Sequence, residues 1–228
     1  MESIWNLILF FAVCAFIGWV IQAIVDLLQR KKITNTGFLY GPFIPIYGFT
    51  ALIIYFFNLF FENFPLSFLL VAYFMLPTGV EYFTGFFLEK LFKVKLWDYS
   101  NYRFNIKGRI SLAVSSVWFL LILFQVFILQ KIIFNGINQV NEISRIVVAI
   151  GFCIYFIIDM IFSMRVFLSF SKVKKEIEKE KDNFNLQNIN KKFISKIKAI
   201  SKKAKISPVF KRNFSKEIEK VFERISKK

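Results

Sequence analysis

The chain has 228 residues, of which 56% are hydrophobic and 32 are phenylalanine, and it carries a formal net charge of +16. This composition excludes an ordinary soluble domain and predicts a polytopic membrane protein. Histidine is absent and the only cysteines, Cys14 and Cys153, lie in apolar runs, which excludes a Cys–His metal site and a histidine-based catalytic triad.

Five apolar segments reach the length of about 20 residues that crosses the hydrocarbon of a bilayer. They cover residues 4–28, 40–61, 66–92, 111–134 and 146–168. They predict an all-α membrane helix bundle over residues 1–170, followed by a basic cytoplasmic tail over residues 171–228. The first segment lacks a basic n-region and a small-residue cleavage site, so we interpret it as a retained helix.

Basic residues follow the first segment, fill the loop between the third and fourth, and dominate the tail. In a five-span arrangement these regions lie on one side of the membrane. Because Lys and Arg accumulate on the cytoplasmic side, we expect the N-terminus outside and the C-terminus in the cytoplasm of a bacterium. Lys131 and Arg145 are the exceptions to this pattern.

The first predicted helix has a narrow stripe of small or polar residues at steps of four. These residues are Cys14, Gly18, Gln22 and Asp26. Such a stripe is typical of a helix–helix contact face. It also leaves open a contribution of Gln22 or Asp26 to a polar site.

Residues 37–48 contain three glycines and two prolines, Pro42 and Pro45. One interpretation is a helix that Pro42 begins. The other is an irregular segment beside a polar cavity, because irregular backbone at membrane depth is tolerated only inside protein or next to water.

The third predicted helix carries polar residues on one face, at steps of three or four. These residues are Thr78, Glu81, Gly85 and Glu89. A carboxylate within a membrane helix normally faces the bundle interior, and Pro77 and Gly79 predict a kink just before Glu81. We expect Glu81 to share a polar interior with at least one of Tyr40, Tyr47, Ser115 or Asp159, either in a functional role or through a structural hydrogen bond.

The loop of residues 93–109 mixes aromatic, acidic and basic side chains. Asp98 suits a turn or a helix N-cap, and Trp97 is typical of the aromatic belt at the membrane surface. The short loop lies close to Glu89, which predicts a cap packed over the bundle. Glu89 itself either joins this cap or reaches water.

In the fifth helix, Tyr155, Asp159 and Ser163 recur at steps of four, which makes Asp159 a second acid within the membrane. The candidate residues of one polar site in the cytoplasmic half are Glu81, Glu89, Asp98, Tyr99, Arg109, Tyr40, Tyr47, Asp159 and Gln22.

The tail holds 19 Lys and Arg against 7 Asp and Glu between residues 171 and 228. On either side of Pro208, apolar residues repeat with the helical period, as in Phe193, Ile197 and Ile200. This pattern predicts amphipathic helices on the membrane surface, bound to anionic lipid headgroups. We expect no binding of nucleic acid, because no recognised motif is present.

Several sequence pieces together resemble one bacterial family. They include residues 37–42, 45–48, 80–85, 88–90, 97–100 and 104–110. In these pieces the chain resembles the family described as putative ABC-transporter type IV, or CmpB-like, over about residues 8–130. The resemblance implies a multi-pass inner-membrane permease, although Gln22 stands where the family tends to have glutamate and Thr36 where it tends to have arginine.

Three functions remain open from the sequence. The first is a permease component; if ATP drives it, a separate subunit supplies the ATPase, because the chain has no P-loop sequence. The second is an intramembrane enzyme for a lipid-linked substrate, with Glu81 or Asp98 as acid or base and Arg109 as an anion clamp. The third is a non-transporting scaffold or lipid-binding regulator. We expect no cofactor and no metal. Membrane lipids are the expected partners, and a homo-oligomer is a further assembly to consider. The absence of catalytic motifs favours a non-enzymatic protein.

Overall fold

The fold is described from a computed structural model of the chain. It describes residues 2–31, 37–93 and 95–179, together with Ser195 and Phe214. The predicted tail helices otherwise lie outside the described residues. In chain order the elements are α1 (Ile4–Arg30), α2 (Pro45–Phe61), α3 (Leu66–Phe92), β1 (Asn105–Ile106), β2 (Ile110–Ser111), α4 (Leu112–Phe124), a π-helical turn (Gln125–Leu129), α5 (Gln130–Gln139) and α6 (Glu142–Lys179).

The prediction of an all-α membrane helix bundle is confirmed. Four helical stretches are long and apolar enough to cross a membrane: Ile4–Leu28, Leu66–Phe92, Leu112–Gln139 and Glu142–Val173. The stretch Leu66–Phe92, which is α3, matches the predicted segment 66–92 at both ends. α6 continues to Lys179, so the boundary expected between residues 170 and 171 falls inside a helix.

The second apolar helix is shorter than the sequence predicts. α2 has 17 residues and begins at Pro45, whereas the predicted segment begins at residue 40. A proline disfavours helical backbone at the residue before it, and residues 37–44 accordingly run as bends and irregular backbone before α2. The helix that Pro42 was considered to begin is not formed.

The irregular segment of residues 37–44 enters the middle of the bundle. The backbone N–H of Ile44 donates to the carbonyl oxygen of Ala15 at 3.0 Å, and Ala15 lies near the centre of α1. Earlier in the segment, the ring of Phe38 stacks on Phe92 and on Phe167. The segment therefore passes from the end of α3 to the centre of the bundle, and α2 begins there.

Among the described residues, two apolar clusters join helices α1 to α5. One joins α1, α2 and α5, where the ring of Phe10 stacks on Phe134 with centroids 4.7 Å apart. The other joins α2, α3 and α4 through Ile54, Tyr73 and Ile122. Since α2 contributes to both clusters, its position fixes how the remaining helices surround the centre.

The membrane stretch Leu112–Gln139 contains a π-helical turn at Gln125–Leu129. There the buried Gln125 amide donates to the carbonyl oxygen of Ala51 in α2 at 3.2 Å. Such turns are frequent at functional positions. Here the turn brings a polar side chain to a backbone carbonyl of the neighbouring helix.

The two ends of the bundle differ in chemistry. At one end, which we call the Asn6 end, the amide of Asn6 contacts Asn138 and Arg145 at 3.0 Å each. At the opposite end, which we call the hairpin end, β1 and β2 form a small antiparallel hairpin between α3 and α4. Within residues 93–111, which lie at the hairpin end, five side chains are basic and one is acidic.

Candidate functional site

Glu81 lies near the middle of α3 with only 3% of its surface exposed. The hydroxyl of Tyr99 donates a hydrogen bond of 3.1 Å to its Oε1 atom, and the indole of Trp118 on α4 lies beside the carboxyl group. The Trp118 indole N–H is a further, longer-range donor to this carboxyl group, but the buried Oε2 atom has no hydrogen bond of ordinary length and angle among the described residues. A buried polar atom without a partner is costly, so this oxygen is the feature of the site that requires a reason.

Tyr47, in the first turn of α2, closes the site from the opposite side. Its ring lies 4.5 Å from the indole ring of Trp118, measured between centroids, and its phenol interacts electrostatically with Glu81. Gly18 of α1 packs directly on the Tyr47 ring and leaves no room for a side chain. The small-residue stripe of α1 therefore serves helix packing at Gly18 and positions Tyr47.

The loop between α3 and α4 covers the polar face of α3. The indole N–H of Trp97 donates to the carbonyl oxygen of Arg109 at 2.9 Å, and its ring packs against Gly85. The backbone N–H of Tyr99 donates to the carbonyl oxygen of Gly108 at 2.8 Å. These bonds fix the loop so that the Tyr99 side chain reaches Glu81.

A partly exposed ion pair lies about two turns from Glu81 toward the hairpin end. The Nε atom of Arg109 donates to Oε2 of Glu89 at 2.9 Å, and its NH1 atom donates to the Tyr82 hydroxyl at 3.3 Å. The guanidinium group also lies 5.4 Å from the Tyr82 ring and 5.2 Å from the Phe86 ring. Arg109 thus binds the loop to α3 through a charge, a hydrogen bond and two aromatic faces.

Asp159 on α6 forms a separate polar group with the irregular segment. Its Oδ1 atom accepts from the backbone N–H of Tyr40 at 2.9 Å and its Oδ2 atom from that of Gly41 at 2.8 Å. The hydroxyls of Ser163 and Tyr155 donate to the same carboxylate at 3.2 and 3.4 Å. Both oxygens are therefore satisfied, and the carboxylate holds backbone groups that have no helix to join.

Burial changes the acidity of Tyr99, which lies in the loop between α3 and α4. It raises the pKa of the Tyr99 phenol, and the neighbouring Glu81 adds to the effect. Tyr99 is therefore a neutral hydrogen-bond donor throughout the physiological pH range.

Asp98 belongs to the turn and contacts Ser100 and Lys95. Its Oδ1 atom accepts from the backbone N–H of Ser100 at 3.2 Å, as the turn interpretation expects. Partial burial by itself raises the pKa of Asp98, but hydrogen bonds from Ser100 and the charge of Lys95 bring it below its ordinary value. The carboxylate therefore stays charged and serves the loop structure.

The predicted site residues thus fall into separate groups. Glu81, Tyr99 and Tyr47 lie together, and Glu89 and Arg109 lie beside them on α3 and its loop. Tyr40 and Asp159 form the second group, while Asp98 is confined to the turn. Gln22 is half-buried and forms no hydrogen bond with the described residues.

Two aromatic partners of the site were not assigned from the sequence. Neither Trp118 nor Tyr82 was among the candidate site residues. Tyr82 follows Glu81 directly in the sequence. Its contact with Arg109 depends on the position of the loop between α3 and α4, which only the structure gives. No group of three or more Cys, Asp or Glu residues within the described part of the chain could hold a metal ion.

The comparisons with known proteins give one match. A family model described as putative ABC-transporter type IV matches residues 9–164. The match runs well into α6 and includes Asp159, beyond the limit near residue 130 that the quoted sequence pieces indicate. No curated protein and no solved structure matches the chain.

Proposed function

Because the chain belongs to the family described as putative ABC-transporter type IV, we propose that it is a permease component whose substrate binds at Glu81. The observation that carries this proposal is the buried Oε2 atom of Glu81, which lacks a hydrogen-bond partner among the described residues. A substrate that donates a hydrogen bond or carries a positive charge would supply that partner. The proposal therefore assigns substrate binding in this member of a membrane transport family to one acceptor atom.

The shape of the chain around Glu81 supports this location. α2 begins inside the bundle, after the irregular segment that Asp159 holds. Interrupted helices near the centre of the membrane are the places where transport proteins bind their substrates. Tyr47 stands in the first turn of the interrupted helix and faces the Glu81 group.

The surrounding aromatic side chains define which substrates fit. Tyr47, Tyr99 and Trp118 place aromatic rings around the Glu81 carboxyl group. Aromatic rings attract cations, and the guanidinium group of Arg109, on the loop that covers α3, is engaged with Glu89. The site thus favours a small organic cation or a neutral hydrogen-bond donor over an anion.

ATP hydrolysis must come from another subunit, because the chain contains no P-loop sequence. Family membership supports such an ATPase partner. The predicted cytoplasmic location of the hairpin end would place it next to that partner. This orientation follows from the distribution of Lys and Arg.

Co-purification followed by reconstitution tests the proposal. The chain would be isolated in mild detergent, its co-purifying ATPase identified, and the pair placed in liposomes for assays of ATP hydrolysis and of uptake from a labelled mixture of small amines. We expect uptake that needs both proteins and that Glu81→Gln abolishes. Glu62→Gln, which changes an exposed acid in the turn between α2 and α3, should leave uptake unchanged.

Two results would contradict the proposal. One is uptake that Glu81→Gln leaves at the wild-type rate, which would place the substrate elsewhere. The other is a purified chain that chemically alters lipid-linked substrates without an ATPase, which would favour the intramembrane enzyme.

A further inference from the structure

The loop that covers α3 also presents a surface that the proposed transport site does not use. We call residues 95–111 the hairpin, because they contain β1 and β2 and the turn between them. Phe104 is 79% exposed, and Ile106 and Tyr102 are about half exposed. Arg103 and Lys107 are exposed beside them and form no ion pair with the described residues.

The depth of the hairpin follows from its contacts with the helices. The backbone N–H of Leu112, the first residue of α4, donates to the carbonyl oxygen of Phe104 at 3.3 Å. The stretch Leu112–Gln139 has 28 residues, which makes it about 42 Å long. Centred on a hydrocarbon layer of about 30 Å, it would end in the headgroup region, and Phe104 would lie at that level.

The backbone holds the exposed side chains in place at a conformational cost. Phe104 and Lys107 have positive φ angles of 51° and 54°, which residues other than glycine rarely adopt. The Asn105 side chain fixes the turn, since its amide donates to the carbonyl oxygen of Tyr102 at 2.8 Å and its Oδ1 accepts from the N–H of Gly108 at 3.1 Å. Strained residues that the surroundings hold in place are characteristic of functional positions.

We propose that the hairpin binds anionic phospholipid at the bilayer surface, with Phe104 at the boundary between headgroups and acyl chains and Arg103 and Lys107 at the headgroups. Charge is the argument for this occupant. Only one acid, Asp98, accompanies five basic residues between residues 93 and 111, and it is engaged with Lys95 and Ser100. A surface that combines aromatic and unpaired basic side chains at headgroup level suits anionic lipid.

The purified full chain would be titrated with phosphatidylglycerol and with phosphatidylcholine in micelles, and bound lipid counted by native mass spectrometry. We expect Lys107→Gln and Arg103→Gln each to weaken phosphatidylglycerol binding about fivefold. Lys131→Gln removes one exposed positive charge from the other end of the bundle and should have little effect. Equal losses in Lys107→Gln and Lys131→Gln would overturn the proposal.

A labelling experiment tests the insertion of Phe104 without relying on affinity. In a chain with Cys14→Ala and Cys153→Ala, Phe104→Cys would react with a membrane-impermeant maleimide in nanodiscs of each lipid. We expect Phe104→Cys to react at least fivefold more slowly in phosphatidylglycerol nanodiscs than in phosphatidylcholine nanodiscs. Glu62→Cys should react at the same rate in both lipids. Equal rates for Phe104→Cys in the two lipids would place the hairpin in water and overturn the proposal. Protection that appears only when a protein partner is added would overturn it in favour of protein docking.

Discussion

The backbone N–H of Gly41 and the carboxylate of Asp159 are joined by a hydrogen bond of 2.8 Å, across 118 residues of sequence. This bond and the one from Tyr40 fasten an irregular segment to the centre of α6. In a membrane, backbone groups outside helices must find a partner within the protein. The Asp159 carboxylate supplies that partner, which explains an acid in this position without any role in catalysis.

The contact at Gly41 gives the first prediction. A Cβ atom at this position would overlap the Tyr155 hydroxyl and approach the Asp159 carboxylate. We expect Gly41→Ala to lower the free energy of unfolding by about 1 to 3 kcal/mol, as overpacking does. Gly136→Ala is the control, because nothing lies within 4 Å of the added Cβ there.

A second substitution shows whether the overlap is the cause. Tyr155→Phe removes the hydroxyl that an added Cβ would meet first, so it should restore part of the stability lost in Gly41→Ala. Thermal unfolding in detergent would compare Gly41→Ala, Tyr155→Phe and the double variant. No recovery in the double variant would place the cause of the loss elsewhere.

The second prediction concerns the bond between Tyr99 and Glu81. Tyr99→Phe leaves the Oε1 atom of the buried carboxyl without its donor, so it should cost about 1 to 3 kcal/mol. Tyr102→Phe removes a hydroxyl from an exposed residue of the same loop and should change the melting temperature little. If the two variants are equally stable, the loop hydroxyl does not support Glu81.

The third prediction separates the functional from the structural role of Glu81. Glu81→Gln keeps shape and hydrogen bonding and should leave the melting temperature near wild type while uptake is lost. Glu81→Leu removes the acceptor of the Tyr99 hydroxyl and should damage stability as well. A Glu81→Leu protein that is more stable and fully active would rule out an interior site.

The fourth prediction concerns Arg109. A lysine ammonium group is too compact to contact Glu89 and the Tyr82 and Phe86 rings at the same time. Arg109→Lys should therefore destabilise the chain by about 1 kcal/mol. Differential scanning fluorimetry in detergent would measure the change. Arg165→Lys alters an exposed arginine on α6 and should be neutral; a neutral Arg109→Lys would argue against the clamp.

The fifth prediction is the orientation of the bundle. Reporter fusions after Lys32, after Lys107 and at Lys228 should report cytoplasm, and fusions after Asn63 and Asn138 should report the outside. The expectation rests on the basic residues at the hairpin end and in the tail. A cytoplasmic signal after Asn138 would contradict the five-span arrangement.

Much of the fold could be read from local pattern. The apolar run of residues 66–92 corresponds to α3 at both ends, because Pro65 precedes the helix and a Lys at its end adopts the left-handed conformation. The start of α2 was harder to predict, since the sequence left open a helix begun by Pro42 or an irregular segment, and the helix begins at Pro45. The choice was made by Ala15 and Asp159, which bind the backbone of residues 40–44.

The sequence by itself determined the membrane class, the number of apolar segments and the acids that had to be buried, because hydrophobicity and charge act residue by residue. Only the tertiary structure decided which partner each acid has. Glu89 meets Arg109, Asp159 meets backbone N–H groups, and Glu81 keeps one oxygen unpaired among the described residues. Hydrogen bonds depend on distance and direction in space, and contacts across 20 to 118 residues of sequence have no local signal from which they could be predicted.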